Sequence, residues 1–113
     1  MMNKRQLSIE KEIANIKQAL VKLGEMHPGS LSRQSRAAGN TYYQLSYTHQ
    51  GKGHTKYIRP EDVAEVTQQI ENYRRFRRLV TKWVELAIEL ARLERDRGKS
   101  KRSNTEKEQR HTR

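Results

Sequence analysis

The spacing of apolar residues along this chain changes period twice. Ile9, Ile13, Ile16, Leu20 and Leu23 recur at alternating intervals of four and three, which describes one face of an amphipathic helix. Ser8 is a candidate N-cap, and Gly24 is a candidate for the residue just past the end, where a left-handed conformation is often needed. Met26-His27-Pro28-Gly29 then breaks the pattern. Residues 30–40, SLSRQSRAAGN, are small, polar and basic and read as a loop. Beyond them the period drops to two: Tyr43, Leu45 and Tyr47 alternate with Gln44 and Ser46, as in a half-buried strand. Strands are expected over residues 42–48 and 54–59. The connector His49-Gln50-Gly51-Lys52-Gly53 has two glycines to supply the positive φ of a hairpin turn. A lone hairpin is marginal in water and must pack on something.

A second helix supplies that surface. Pro60 suits a first helical position, and Glu61, Asp62 and Glu65 complement the positive end of the helix dipole. From Val63 and Val66 through Ile70, Tyr73 and Phe76 to Leu90 and Leu93, one apolar stripe continues. Val80, Val84, Ala87 and Ala91 widen it in the second half. Arg92, Arg95 and Arg97 sit near the carbonyl end and Gly98 offers a stop, which gives a helix of about 37 residues and about 55 Å. The first helix is too short to cover it alone. Either the hairpin covers the first part and helix 1 the second, or another chain covers the remainder. Residues 98–113, GKSKRSNTEKEQRHTR, hold no aliphatic or aromatic side chain and have the composition of a disordered basic tail. The expectation is an α+β protein. An N-terminal helix, a two-stranded β-hairpin and a long C-terminal helix form one small domain over residues 1–97, and the tail follows over 98–113.

Composition sharpens this picture. Leu, Ile, Val and Phe account for 21 of the 113 residues, all before Gly98, which allows a small core and favours a partner. The net charge is +11 and its distribution is uneven. Residues 1–59 carry ten basic and three acidic groups, 60–96 seven and eight, and 97–113 seven and two. Such a field favours polyanions, DNA or RNA among them. The absence of cysteine excludes disulfides and cysteine-ligated zinc and fits a reducing, cytoplasmic setting. No apolar run approaches the ~18 residues of a membrane span. MMNKRQLSIEKE has no signal-peptide core, so no membrane partner is expected.

The chemistry-bearing stretch is YRRFRR, residues 73–78. On a helix, Tyr73 and Phe76 fall on the apolar stripe and read as core. Arg74, Arg77 and Arg78 are mutual neighbours at intervals of three and four, with Lys82 one turn beyond. Glu71 can pair with Arg74 or Arg75, whereas Arg77 and Arg78 have no acidic residue three or four positions away. That local excess of charge asks for an anion, either a phosphate or a carboxylate folded in from elsewhere. Helix arginines of this kind fix position on a nucleic-acid backbone more readily than they read bases. Arg33, Arg36, Lys52, Lys56 and Arg59 form a second basic group on the loop and hairpin. Gly51-Lys52-Gly53 at the tip is either turn chemistry alone or a ribbon entering a groove. Tyr42 or Tyr43 can stack on a base, but one of the two must face the core. His49 and His54 are candidates to face each other across the turn, with no cysteine or carboxylate nearby to complete a metal site. Ser30, Ser32 and Ser35 lie near Arg33 and Arg36, but no base accompanies them. No phosphate loop, dinucleotide fingerprint or paired acids are present, so neither a catalytic residue nor a cofactor is expected.

The order PGSLSRQ, YYQLSY, a Gly-Lys-rich turn, YIRPEDV and IENYRRFRRL resembles a family of small bacterial proteins of uncharacterised function. Its members are often encoded near transposases and other mobile-element genes. The resemblance runs from about Pro28 to Leu93. Typical members carry a cysteine-rich insert where this chain reads Arg36-Ala37-Ala38-Gly39-Asn40, so no metal role carries over. What the resemblance implies is a context, mobile DNA. Together these readings point to a non-enzymatic nucleic-acid-binding accessory protein contacting DNA or RNA through both basic groups. The alternative is a helical adaptor that binds a protein partner, such as a recombinase, or a second copy through the apolar stripe of the long helix.

Overall fold

The computed structural model describes residues 3–36 and 39–101. The fold is α+β. Helix α1 spans Lys4–Val21, strands β1, β2 and β3 span Ser30–Ser35, Thr41–His49 and Lys52–Ile58, and helix α2 spans Val63–Lys101. A 3-10 turn over Pro60–Asp62 leads into α2, with Pro60 at its start and the Asp62 amide donating to the Arg59 carbonyl at 2.9 Å. The chain divides into a helical unit, Met1–Ala19 with Val80–Arg113, and a sheet unit, Leu20–Leu79.

In the helical unit, α1 begins earlier than its apolar period suggests. The cap is Asn3, not Ser8: Asn3 Oδ1 accepts from the Gln6 amide at 2.7 Å, and Gln6 Oε1 accepts from the Asn3 amide at 3.0 Å. This reciprocal pair satisfies two amides at the helix start, as a capping box does, with Asn and Gln in place of the commoner Ser and Glu. Gln6 continues the inward face ahead of Ile9, and a polar residue at that position hid the first turn. Ile9 and Ile16 on α1 and Leu86 on α2 are buried. Gly98 does not stop α2, which runs on to Lys101. A helical glycine costs only about 1 kcal/mol relative to alanine, too little to end a helix on its own. The expected tail therefore starts no earlier than residue 102, and residues 102–113 lie outside the described residues.

In the sheet unit, the expected loop 30–40 contains a strand. The sheet has three antiparallel strands in the order β1-β2-β3, not two. Strand β1 pairs with β2 from Ser30–Ser46 to Ser35–Thr41. Its SLSRQS sequence holds a single aliphatic residue, so no alternation was visible, yet Leu31 sits directly opposite the buried Leu45. An edge strand with backbone pairing on one side needs little more than that. Chain entry into β1 depends on Gly29, at φ +111°: a Cβ there would stand 2.3 Å from the Ser46 carbonyl oxygen. The β2–β3 turn uses positive φ at both Gln50 and Gly51, the two-residue type I′ geometry that matches sheet twist, while Gly53 lies within β3. Gly24 has no positive φ, so it does not end α1 in the expected way. Instead it lies close to α2, where a Cβ would meet Asn72 Nδ2 at 3.3 Å. The connector around it is tied to α2 by His27 amide to Gln69 carbonyl at 3.0 Å and Asn72 Nδ2 to Glu25 carbonyl at 2.8 Å. Leu45 and Ile70 are the buried apolar residues of this unit.

Candidate nucleic-acid interface

Strand register sorts the sheet residues into two faces, because successive side chains alternate. Leu31, Arg33, Tyr43, Leu45, Lys52, His54, Lys56 and Ile58 share one face by cross-strand pairing. This is the face that packs toward α2: Ser30, Leu31, Thr67, Ile70, Glu71 and Arg74 line one small groove of about 190 Å³. Gln34, Tyr42, Gln44 and Tyr57 belong to the opposite, open face. The ambiguity between the two tyrosines is thereby resolved. Tyr43 points to the packed side and Tyr42 to the open side.

The nine basic residues singled out by sequence fall into three states. Arg59 is taken up by Asp62 at 3.1 Å and Glu61 at 3.8 Å, and Arg74 by Glu71 at 3.4 Å. Arg36 and Arg77 rest on tyrosines. The Arg36 guanidinium lies 4.5 Å from the Tyr42 ring centroid and 5.9 Å from that of Tyr57. Arg77 lies 6.0 Å from the Tyr73 centroid and donates to its hydroxyl at 3.1 Å. Arg33, Lys52, Lys56, Arg78 and Lys82 are exposed and form no ion pair among the described residues. Arg33, Lys52 and Lys56 share a sheet face, with Arg33 on one edge strand and both lysines on the other. Lys82 follows Arg78 by one turn of α2 but belongs to the helical unit. YRRFRR thus separates as its spacing implies: Tyr73 and Phe76 are half-buried, while Arg74, Arg75, Arg77 and Arg78 are exposed.

The histidines do not face each other. His49 is opposite Lys52 and His54 opposite Tyr47, because the turn takes only Gln50 and Gly51. His54 stacks on Tyr47 at 4.8 Å between centroids, and His27 meets the same ring edge-on at 4.7 Å. His27 Nδ1 lies 2.7 Å from the Pro28 carbonyl, so that nitrogen carries the proton and donates.

Two features escaped the reading of the sequence. From Met26 to Pro60 there is not one Asp or Glu, although Arg33, Arg36, Lys52, Lys56 and Arg59 all lie there. All three strands are therefore without a carboxylate. Lysine on edge strands has a use of its own in discouraging edge pairing, but that use does not require acids to be absent. The second feature is Tyr57, 69% exposed on β3, with its ring centroid 5.4 Å from Tyr42 at an interplanar angle of 78°. Only the register assigns it to the face that carries Tyr42 and Arg36.

Compared with models of protein families, with curated proteins and with solved structures, the chain matches none. Among the described residues, no helix is long and apolar enough to cross a membrane.

Proposed function

We propose that this is a non-enzymatic nucleic-acid-binding protein whose sheet unit contacts phosphates, in keeping with the mobile-DNA context that the sequence resemblance implies. The observation that carries the reading is the sheet without carboxylates, with Arg33, Lys52 and Lys56, and Arg78 on the helix, exposed and without an ion pair among the described residues. Cations held on structured elements without acidic partners attract a polyanion, and their positions suit backbone contact more than base reading. The test is titration of labelled duplex DNA and structured RNA at several salt concentrations. Affinity should fall steeply with salt, and Lys52→Gln, Lys56→Gln and Arg78→Gln together should reduce the duplex slope by about 2–3, near 0.9 per lost phosphate contact. A flat salt response sinks the reading.

A second reading concerns the helical unit and favours a second copy of the chain as partner. Its support is a groove of about 470 Å³ between α1 and α2, lined by Ile13, Ala14, Trp83, Ala87, Leu90 and Ala91, with Glu10, Lys17 and Glu94 at its rim. Beside the groove, Val84 is 51% and Ile88 65% exposed. Lys17 sits at the Trp83 end, its Nζ 5.4 Å from the ring centroid, and Glu94 lies three turns farther along α2. A two-fold copy laid antiparallel would bring Lys17 of each chain to the acidic end of the other.

A further inference from the structure

The geometry points to a stacking site for unpaired bases on the open face of the sheet, making single-stranded nucleic acid the preferred ligand over duplex. This rests on the nucleic-acid reading above and adds to it the class of substrate.

The site is built around Tyr42, Tyr57 and Arg36. Tyr57 leaves most of its surface open, and the edge-on geometry with Tyr42 means that the two rings do not stack face to face. Arg36 lies over Tyr42, so a guanidinium plane and a cation are held beside the exposed ring. Its position is fixed by the chain reversal after β1: the Arg36 amide donates to the Asn40 carbonyl at 2.8 Å, and the Gly39 amide to the Arg36 carbonyl at 2.9 Å. Gln34, which donates to Ser32 Oγ at 3.0 Å, and Gln44, opposite both Ser32 and Tyr57, add uncharged amides to the same face. Amides match the donor and acceptor edges of bases, and aromatic rings match their π faces, without strong sequence preference.

Charge selects among possible occupants. A peptide in β-augmentation would use the strand edges rather than this face, and an apolar partner would not call for Arg36. A cationic partner is opposed by the absence of any carboxylate in the sheet. Paired bases in a duplex present only their edges, so a flat aromatic ring on an open sheet has nothing there to stack on. An unpaired nucleotide offers both a ring face for Tyr57 and a phosphate for Arg36. The sheet then has two different uses. Arg33, Lys52 and Lys56 on one face hold backbone charge, while Tyr42, Tyr57 and Arg36 on the other hold bases.

The experiment compares single strands of roughly 12 nucleotides, in deoxy and ribo form, with a duplex of the same length, by fluorescence anisotropy at matched salt. The protein is used as the full chain, wild type, Tyr57→Ser and Tyr57→Phe. The wild type should bind single strands more tightly than duplex. Tyr57→Ser should lose roughly 5- to 150-fold of that affinity, the value of one stacked base, with an unchanged salt slope. Tyr57→Phe should keep wild-type affinity, because the ring and not the hydroxyl does the stacking. Tyr57 is exposed, so circular dichroism of all three proteins should coincide. Single-strand affinity of Tyr57→Ser within about twofold of wild type, or a preference for duplex, overturns the stacking site while leaving phosphate binding intact. Equal loss in Tyr57→Phe and Tyr57→Ser overturns it as well. Absence of binding to any of the probes overturns both this site and the broader reading. The deoxy and ribo arms separate DNA from RNA as the source of the bases.

Discussion

The two units of this chain leave opposite things unsatisfied. In the helical unit the charge nearest the core is matched. Arg5 makes a two-pronged pair with Glu89, Nε and Nη2 each 2.7 Å from a carboxylate oxygen. What remains over is apolar: the stripe on α2 starts at the buried Leu86 and widens through Trp83, Ala87 and Ala91 to the exposed Val84 and Ile88. That is more than half the helix circumference at about 100° per residue. In the sheet unit Leu45 and Ile70 are buried, and the exposed apolar side chains, Val21 at 80% and Met26 at 38%, lie at the end of α1 and in the connector after it rather than along one stripe. What remains over there is positive charge and an exposed tyrosine. One chain therefore carries two surpluses of different chemistry, and the two partners proposed above differ accordingly.

The sharpest way to break this contrast is to attack what holds each unit together. Leu86, 2% exposed, is packed side chain. Leu86→Ala should cost about 2–5 kcal/mol through lost transfer energy and the cavity left behind, read from the midpoint of urea unfolding. The sheet unit depends more on backbone geometry. Gly29→Ala places a Cβ against the Ser46 carbonyl at a φ that alanine rarely adopts, and should cost about 2 kcal/mol or more. Gly51→Ala shares the positive φ but has open space around it, and should cost about 1 kcal/mol. If Gly29→Ala proves no worse than Gly51→Ala, close approach at β1 is not what organises the sheet.

These glycines also mark where the sequence was legible. The β2–β3 hairpin was readable because Tyr43, Leu45 and Tyr47 alternate around one buried face and glycine punctuates the turn. The long helix was readable because its apolar stripe persists over many turns. Strand β1 was not, because an edge strand resting on Leu31 alone leaves no period. The first turn of α1 was hidden by Gln6, a polar residue on the inward face, and its cap uses Asn3 with Gln6 rather than a serine. Candidate cations were visible by charge alone, but their state was not. Whether Arg59 meets Asp62 depends on the turn into α2, and whether Arg36 meets Tyr42 and Tyr57 depends on register and chain reversal. Tyr57 escaped notice for the same reason: within KGHTKYI nothing marks which face the ring will take.

The apolar surplus of the helical unit gives a second, smaller test. Ile88→Glu removes an exposed side chain, so the stability of an isolated chain should change by less than about 0.5 kcal/mol. If a second copy covers the stripe, the same change should abolish dimers seen by light scattering at micromolar concentration. Reversing all three rim charges together, Lys17→Glu with Glu10→Lys and Glu94→Lys, should keep association, because the two-fold arrangement still opposes unlike charges. Lys17→Glu alone should weaken it. A wild-type monomer at all concentrations would show that the stripe is tolerated as free surface, and the contrast between the units would then rest on charge alone.

The smallest expected effect concerns how the two units use charge. The Arg5 guanidinium, hydrogen-bonded to Glu89, holds that carboxyl below the ordinary carboxylate range, and Glu89 in turn raises Arg5. A carboxyl depressed in the folded state adds stability that is complete above its unfolded pKa and is lost as pH falls through the folded one. Wild type should therefore exceed Glu89→Gln in stability at neutral pH by a small margin. That margin should close on acidification below about pH 4 and shrink with added salt, since the pair is partly solvated. Lys56→Gln, in the sheet unit, removes a cation with no ion pair among the described residues and should leave stability unchanged within about 0.5 kcal/mol under the same conditions. Thermal unfolding of the three proteins across pH measures both. A Glu89→Gln deficit that survives in acid would mean that the pair acts through packing, and that the helical unit has no more use for its charges than the sheet has.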